Sequence, residues 1–316
     1  MSEHDKRYSV VAVTGATGFI GGAILRRLAR AGKTVRVLAR NPDKLNDETR
    51  AAQHCTIIKG DLDDQAALDE LIAGADALVH CAGVVTPRVD DDYQRVNVAG
   101  AERAAKTARM HGAAIVHLSS LSAREPHLSP YAGSKNQSET VVGKTAVSLR
   151  LPAIYGPGDM VTLPYFKMVA RGIAPEPATR NGARVSILYV EDAVDAVLAA
   201  LGGAVQPGVY EVADDSRDGY PWRALGATLG LALGVRPRSL RIPRFLLAAA
   251  YAAILRGARI TGTQPSVRTG QINEFFHPDW VARNALFNVA AGWTPRHTLQ
   301  EGFAKTVQWY QKNNYL

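Results

Sequence analysis

The chain has 316 residues, 47% hydrophobic and 21% charged, enough to bury a large core in one lobe or two. Its formal net charge is +8, but the basic residues read as dispersed among acids, with no basic run interleaved with stacking aromatics, so no nucleic-acid partner is expected. Cys55 and Cys81 are the only cysteines; lacking a C-x-x-C pair or ligand-spaced histidines, they suggest neither a metal site nor a disulfide framework and fit a reducing, cytoplasmic setting.

The polar stretch Met1 to Tyr8 carries no secretory signal and leads into an apolar run, Ser9–Val13, which reads as a strand. Next comes Thr14-Gly15-Ala16-Thr17-Gly18-Phe19-Ile20-Gly21, opening a helix that reaches Arg30 with Ile20, Ile24 and Leu28 on one face and Gly32 as its stop. Strand, glycine turn and helix N-terminus put unpaired N–H groups and a positive dipole end where a pyrophosphate can sit. Further strands are expected at Thr34–Ala39, Thr56–Lys59, Ala77–His80 and Ala114–Leu118, the last running into Ser119-Ser120. A helix starts at Asp63 or Asp64, and Tyr93 to Met110 reads as one long helix. This alternation predicts an α/β fold with a mainly parallel, doubly wound sheet whose ligands gather at the C-terminal strand ends.

After Pro152 the alternation gives way to a smaller, irregular lobe. Ala183–Val190 reads as extended, Glu191–Leu201 as a helix, Gly208–Ala213 as a strand, and the last helix opens on a capping box, Thr298 with Glu301. The expected division is a dinucleotide lobe over 1–155, to which 185–205 returns, and a substrate lobe from 156–184 and 206–316. Phe245–Leu255 is the longest apolar stretch, too short to span a bilayer. Flanked by Arg236, Arg238, Arg241, Arg244, Arg256 and Arg259, it is read first as a helix packed in the smaller lobe and second as one lying on a membrane surface. A homodimer is left open.

Tyr131-Ala132-Gly133-Ser134-Lys135 follows the Ser-Ser strand end. Tyr131 and Lys135, four apart, share a helix face, so the ammonium is expected to favour the phenolate; the tyrosine then serves as acid or base at a hydroxyl or keto carbon, with Ser120 orienting the oxygen. These residues, with Gly15, Gly18 and Gly21, Asp61-Leu62, His80 to Gly83, Asn97, Leu149 to Asp159 and Tyr189 to Ala193, resemble the extended short-chain dehydrogenase/reductase family over nearly the whole chain. That family is also described as the NAD-dependent epimerase/dehydratase family.

The resemblance implies a Rossmann-like fold, a nicotinamide dinucleotide and a catalytic set of Ser120, Tyr131 and Lys135. Ser122 stands in reserve for the serine, and Asn97 lies near the reactive centre or ties down backbone. The cofactor is expected against Gly15, Thr17, Gly18, Phe19 and Ile20, with Asp61 and Leu62 at the adenine, as against a helix cap and a core residue. Ala82 and Gly83 follow at the next strand end, Lys135 holds the ribose, and Pro152 and Ile154 border the nicotinamide. Where NAD-preferring relatives carry an acid, this chain has Ala39 and then Arg40, whose fork suits a 2′-phosphate, so NADP(H) is expected over NAD(H).

Ala153 occupies the slot where members acting on nucleotide sugars carry an asparagine. That resembles the hydroxysteroid-dehydrogenase and dihydroflavonol-reductase branches and implies an oxidoreductase for a small, largely apolar substrate. A nucleotide-sugar epimerase or dehydratase is the alternative, and a non-catalytic dinucleotide-binding protein a third reading.

Overall fold

The computed structural model describes residues 8–45, 54–86, 91–180, 182–261 and 269–316. Met1 to Arg7 lie outside these, as does the side chain of Arg259. The first half builds the sheet: β1 (Val10–Thr14), α1 (Phe19–Arg30), β2 (Thr34–Ala39), β3 (Cys55–Lys59), α2 (Gln65–Ile72), β4 (Ala77–His80), α3 (Gly100–Met110), β5 (Ala114–Ser120), α4 (Pro130–Val142) and β6 (Ala146–Leu151). Gly208–Glu211 adds the edge strand beside β6, and among the described residues the strands run 208–211, β6, β5, β4, β1, β2, β3, all parallel. Strand order reverses between β1 and β4, the crevice where open α/β sheets take their ligands.

Period-two alternation divides the core between the two faces. Val11 and Val13 join α1 and the helix Val190–Leu201 on one face, while Ala12 joins α2 and α3 on the other. Ile24, Leu25 and Leu28 of α1 are fully buried, each worth about 2 kcal/mol of apolar burial. Arg27 clamps α1 to the helix Val190–Leu201 through Asp195, with Glu191 at 3.8 Å.

Several boundaries differ from expectation. The first strand sits one residue later, because the backbone N–H groups of Ser9 and Val10 both go to the Asp76 carboxylate. The expected helix Tyr93–Met110 breaks into a π-helical segment, Tyr93–Ala99, followed by α3. The wider turn lets Asn97 reach partners outside its own helix, a common use of π segments. Its Nδ2 donates to the Val84 carbonyl (3.0 Å) and the Ser134 hydroxyl (2.9 Å), and its Oδ1 accepts from the Val84 N–H (2.7 Å).

The later half has β7 (Ala153–Tyr155), α5 (Leu163–Ala170) and β8 (Ile173–Pro177). The extended stretch expected over Ala183–Val190 is two short strands, β9 (Arg184–Val185) and β10 (Ile187–Tyr189), and Val190 already begins α6 (Val190–Leu201). After β11 (Gly208–Glu211) come β12 (Tyr220–Pro221), α7 (Trp222–Leu233), β13 (Arg238–Ile242), α8 (Arg244–Thr261), α9 (Thr269–Phe275), β14 (Asp279–Trp280), α10 (Ala285–Ala291) and α11 (Leu299–Lys312). The Thr298–Glu301 capping box opens α11 as expected. Buried Asp192 anchors the approach to α11, accepting from the backbone of Arg296 and His297 and bonding the His297 ring.

Contrary to the packed-helix expectation, α8 is largely exposed: Phe245 retains 69% and Leu246 52% of their accessible surface. Periodicity reports how apolar a helix is, and nothing about what covers it. No helix among the described residues is long and apolar enough to cross a membrane.

Candidate active site

The parallel register brings the C-terminal ends of β1, β4, β5 and β6 to one edge, with Thr14 opposite His80 and Ser120 opposite Leu151. At that edge the glycine turn is shaped by close approach. Gly15 has φ +74°, and a Cβ on it would lie 2.5 Å from the backbone nitrogen of Ala82. A Cβ on Gly21 would lie 2.3 Å from the Gly15 carbonyl, so α1 can start this close to the turn only without one.

The Gly18 N-cap supplies no side-chain hydrogen bond, and the first turn of α1 holds no acid. Thr17 and Gly18 are exposed and Phe19 and Ile20 half-buried around these N–H groups. An uncapped helix N-terminus on a glycine-opened turn is chemically suited to a diphosphate.

The flanking residues complete a cradle along the edge. Asp61 is half-buried and its Oδ1 accepts from the Asp63 N–H (2.8 Å); the cap of α2 is instead Asp64, which accepts from Ala67 (3.0 Å). Leu62 is buried and packs where a Cβ on Gly100 would fall, 2.6 Å away. Ala82 and Gly83 lead off β4; a Cβ on Gly83 would lie 3.2 Å from Asn97 Oδ1 and 4.0 Å from Lys135 Nζ. Pro152 and Ile154 are half-buried beyond β6, and Arg40 is exposed at the end of β2.

The reacting groups meet at the end of β5. Ser120, the last residue of that strand, lies close enough to the Tyr131 phenol to lower its pKa. Its neighbour Ser119 turns away to Glu139, which also takes a bidentate pair from Arg150 (2.9 and 2.7 Å). Ser122 does not join Tyr131; its hydroxyl donates to Glu274 (3.1 Å).

Desolvation pushes the Tyr131 phenol up to about 12, against the lowering effect of nearby Ser120, and the Glu274 carboxylate and Tyr93 push the same way as desolvation. Here the expected phenolate is corrected. Lys135 is buried and its Nζ donates to the Leu118 carbonyl (2.6 Å), and burial draws its own pKa down to about 8. A shared helix face set the two residues side by side, but the strand-end carbonyl took the ammonium. The tyrosine is therefore a protonated phenol through the neutral range.

Glu274, in α9, is the group that sequence reasoning missed. It accepts from Ser122 and from Ser129, the residue that caps α4 by taking the Ala132 N–H (2.9 Å). Gly270 lets α9 close this tightly, since a Cβ there would lie 2.4 Å from the Ser129 Cβ. Glu274 is 145 residues from Ser129, and no spacing rule links residues so far apart.

Behind the edge, His80 and His117 stack at 5.5 Å between centroids, His80 bonding Thr14 (2.8 Å) and His117 bonding Ser138 (3.0 Å). Burial first, and Lys135 second, hold both rings neutral, His80 at about 3. They are structural members of the sheet.

A glycine-opened, uncapped helix at the switch point of a parallel sheet, beside a serine and a tyrosine at the next strand end, defines the NAD(P)-dependent enzymes built on a Rossmann-like fold. The chain belongs to the NAD dependent epimerase/dehydratase family, whose model matches residues 11–213. It is 38% identical over 310 residues to the ceramide reductase of Caulobacter vibrioides, covering 97% of this chain and 96% of that protein. A 2-alkyl-3-oxoalkanoate reductase of Stenotrophomonas maltophilia is 26% identical, with 93% and 97% covered. Among solved structures, the NAD complex of dTDP-glucose 4,6-dehydratase from Bacillus anthracis shares the fold, with a TM-score of 0.73 at 16% identity over 96% of this chain and 97% of that one. The protein is an oxidoreductase-type member of this family.

Proposed function

We propose that the protein is an NADP(H)-dependent reductase that converts a keto group on a long-chain, largely apolar molecule into a hydroxyl. What supports this reading is the placement of Tyr131 beside Ser120 at the ligand edge of the sheet, its phenol buried and so favoured in the protonated form. A phenol held protonated is suited to giving a proton to a carbonyl oxygen, with the serine hydroxyl orienting that oxygen. When bound, the reduced nicotinamide supplies the hydride.

The chain's own residues do the rest. Thr17 to Ile20 present the α1 N-terminus to the diphosphate, Asp61 and Leu62 receive the adenine, and Arg40 takes the 2′-phosphate. Lys135 holds the ribose, with Gly83 beside it and Pro152 and Ile154 bordering the ring. Relatives named for ceramide and for an alkyl oxoalkanoate support an alkyl-chain substrate. Ala153, exposed where an amide would hold a sugar nucleotide's phosphates, argues against the epimerase or dehydratase alternative.

The test is to incubate the purified protein with NADPH and a panel of long-chain keto lipids, following NADPH and product together. Stoichiometric NADPH oxidation with a hydroxyl product supports the reading. Product formed without net NADPH consumption supports the epimerase or dehydratase alternative, and retained cofactor with no turnover supports a binding protein.

A further inference from the structure

The exposed α8 helix and the charge around it form a surface that the reaction does not use. From Phe245 to Leu255 no residue is charged and Tyr251 alone carries a polar side-chain atom, yet most of this stretch faces solvent. Leu240 of β13, just ahead of it, is 50% exposed. A contiguous apolar surface of this kind marks a place where something else binds.

Charge identifies what covers it. The basic residues, which read as dispersed along the chain, are not evenly so. Between Tyr220 and Asn273 there are eight arginines and no Asp, Glu or Lys, so the remaining 29 basic residues match the 29 acids and the whole excess of +8 lies in this segment. Arg236, Arg238 and Arg256 are exposed on either side of the apolar run. Arg241 lies 4.0 Å from Glu176, and Arg244 donates to Asn273. A second copy meeting through the same face would set one arginine-rich segment against another, with Glu176 beside Arg241 as the acid at hand on each side, which disfavours a self-complementary interface.

We propose that α8 lies in the plane of an anionic phospholipid surface, its apolar residues in the acyl boundary and the flanking arginines on the lipid phosphates. The apolar run is too short to cross a bilayer, which takes about 20 residues, but suits a helix lying along it. Guanidinium groups pair with phosphate oxygens as planar forks.

The surface is continuous with the site. Arg244 bonds Asn273, whose Nδ2 donates to the Leu128 carbonyl (2.9 Å), and the next residue is Glu274, facing Tyr131. A hydrogen-bond chain thus ties the docking face to the carboxylate that bears on the phenol, so a substrate held in the bilayer would meet the protein on the side of its site. This last step rests on the proposed function; the membrane docking does not.

The experiment is sedimentation of the full chain, without substrate, with vesicles of phosphatidylcholine alone or mixed with phosphatidylglycerol. Binding to the mixed vesicles is expected, weakening with salt. The exposed double variant Phe245→Asp/Leu246→Asp should lose at least tenfold in partitioning while keeping its NADPH affinity, and Arg236→Glu and Arg238→Glu about fivefold each. Equal binding by the wild type and the Asp variant overturns the proposal, as does no binding to either vesicle. A dimer in solution that dissociates in the Asp variant, without vesicle binding, assigns the face to a second copy and overturns it too. Vesicle binding without reduction of any keto lipid leaves the docking intact and removes the functional reading.

Discussion

The Glu274 carboxylate of α9 bears on the Tyr131 phenol, held by hydroxyls of Ser122 and Ser129, which lie between Ser120 and Tyr131 in sequence. A negative charge there disfavours phenolate, so it reinforces desolvation in keeping the tyrosine protonated. Burial also raises the pKa of Glu274 itself, against the two serine bonds that lower it. The α9 segment thus adds to the burial that keeps a residue on α4 protonated.

Replacing Glu274 by Gln keeps an acceptor for the serines and removes the charge, so the phenol pKa should fall. In alcohol oxidation, which needs the phenolate, the rising limb of the pH–rate profile should move down by about half a unit or more. Ketone reduction at neutral pH, which uses the protonated phenol, should change little. A limb that stays in place or moves up would show that the carboxylate does not tune the phenol.

Arg40 stands exposed at the end of β2, beyond the glycine turn. Arg40→Ala should weaken NADPH binding by roughly tenfold to a hundredfold, the loss of one charge-assisted phosphate contact of about 1.5–3 kcal/mol, and leave NADH binding unchanged. Titration of both nucleotides checks this, and equal losses for the two would place Arg40 away from the 2′-phosphate.

Asp214 is a buried carboxylate whose pKa desolvation raises to about 6, despite bonds from Tyr220 and Ser216. A raised carboxylate binds its proton more tightly folded than unfolded, so between its ordinary value and about 6 stability falls as pH rises. Above that window the charge costs of the order of 1–3 kcal/mol. Asp214→Asn should therefore raise the Tm at pH 8 and change it little at pH 4. Thermal melts at the two values decide, and a lower Tm at pH 8 would mean the ionised form is stabilising.

Most of the sheet could be read locally, because β1 to β6 carry short runs rich in β-branched and apolar residues and the helices between them mostly carry 3.6-residue periodicity. Ser120, Tyr131 and the glycine turn could be placed for the same reason: each sits at the junction of two such elements. What could not be read depends on partners distant in sequence. The π segment exists around Asn97 bonds to Val84 and Ser134, and Lys135 turns from the phenol to Leu118 across the strand end. The exposure of α8 is another such case, since its composition is that of a core helix.

The central claim is that Tyr131 delivers the proton in an NADPH-dependent reduction. It is tested most directly by single-turnover oxidation of bound NADPH with a long-chain keto lipid in the wild type and in Tyr131→Phe. The account predicts unchanged NADPH affinity and a rate lower by at least about a hundredfold in the variant, the scale of a lost general acid. Equal rates in the two proteins would contradict it.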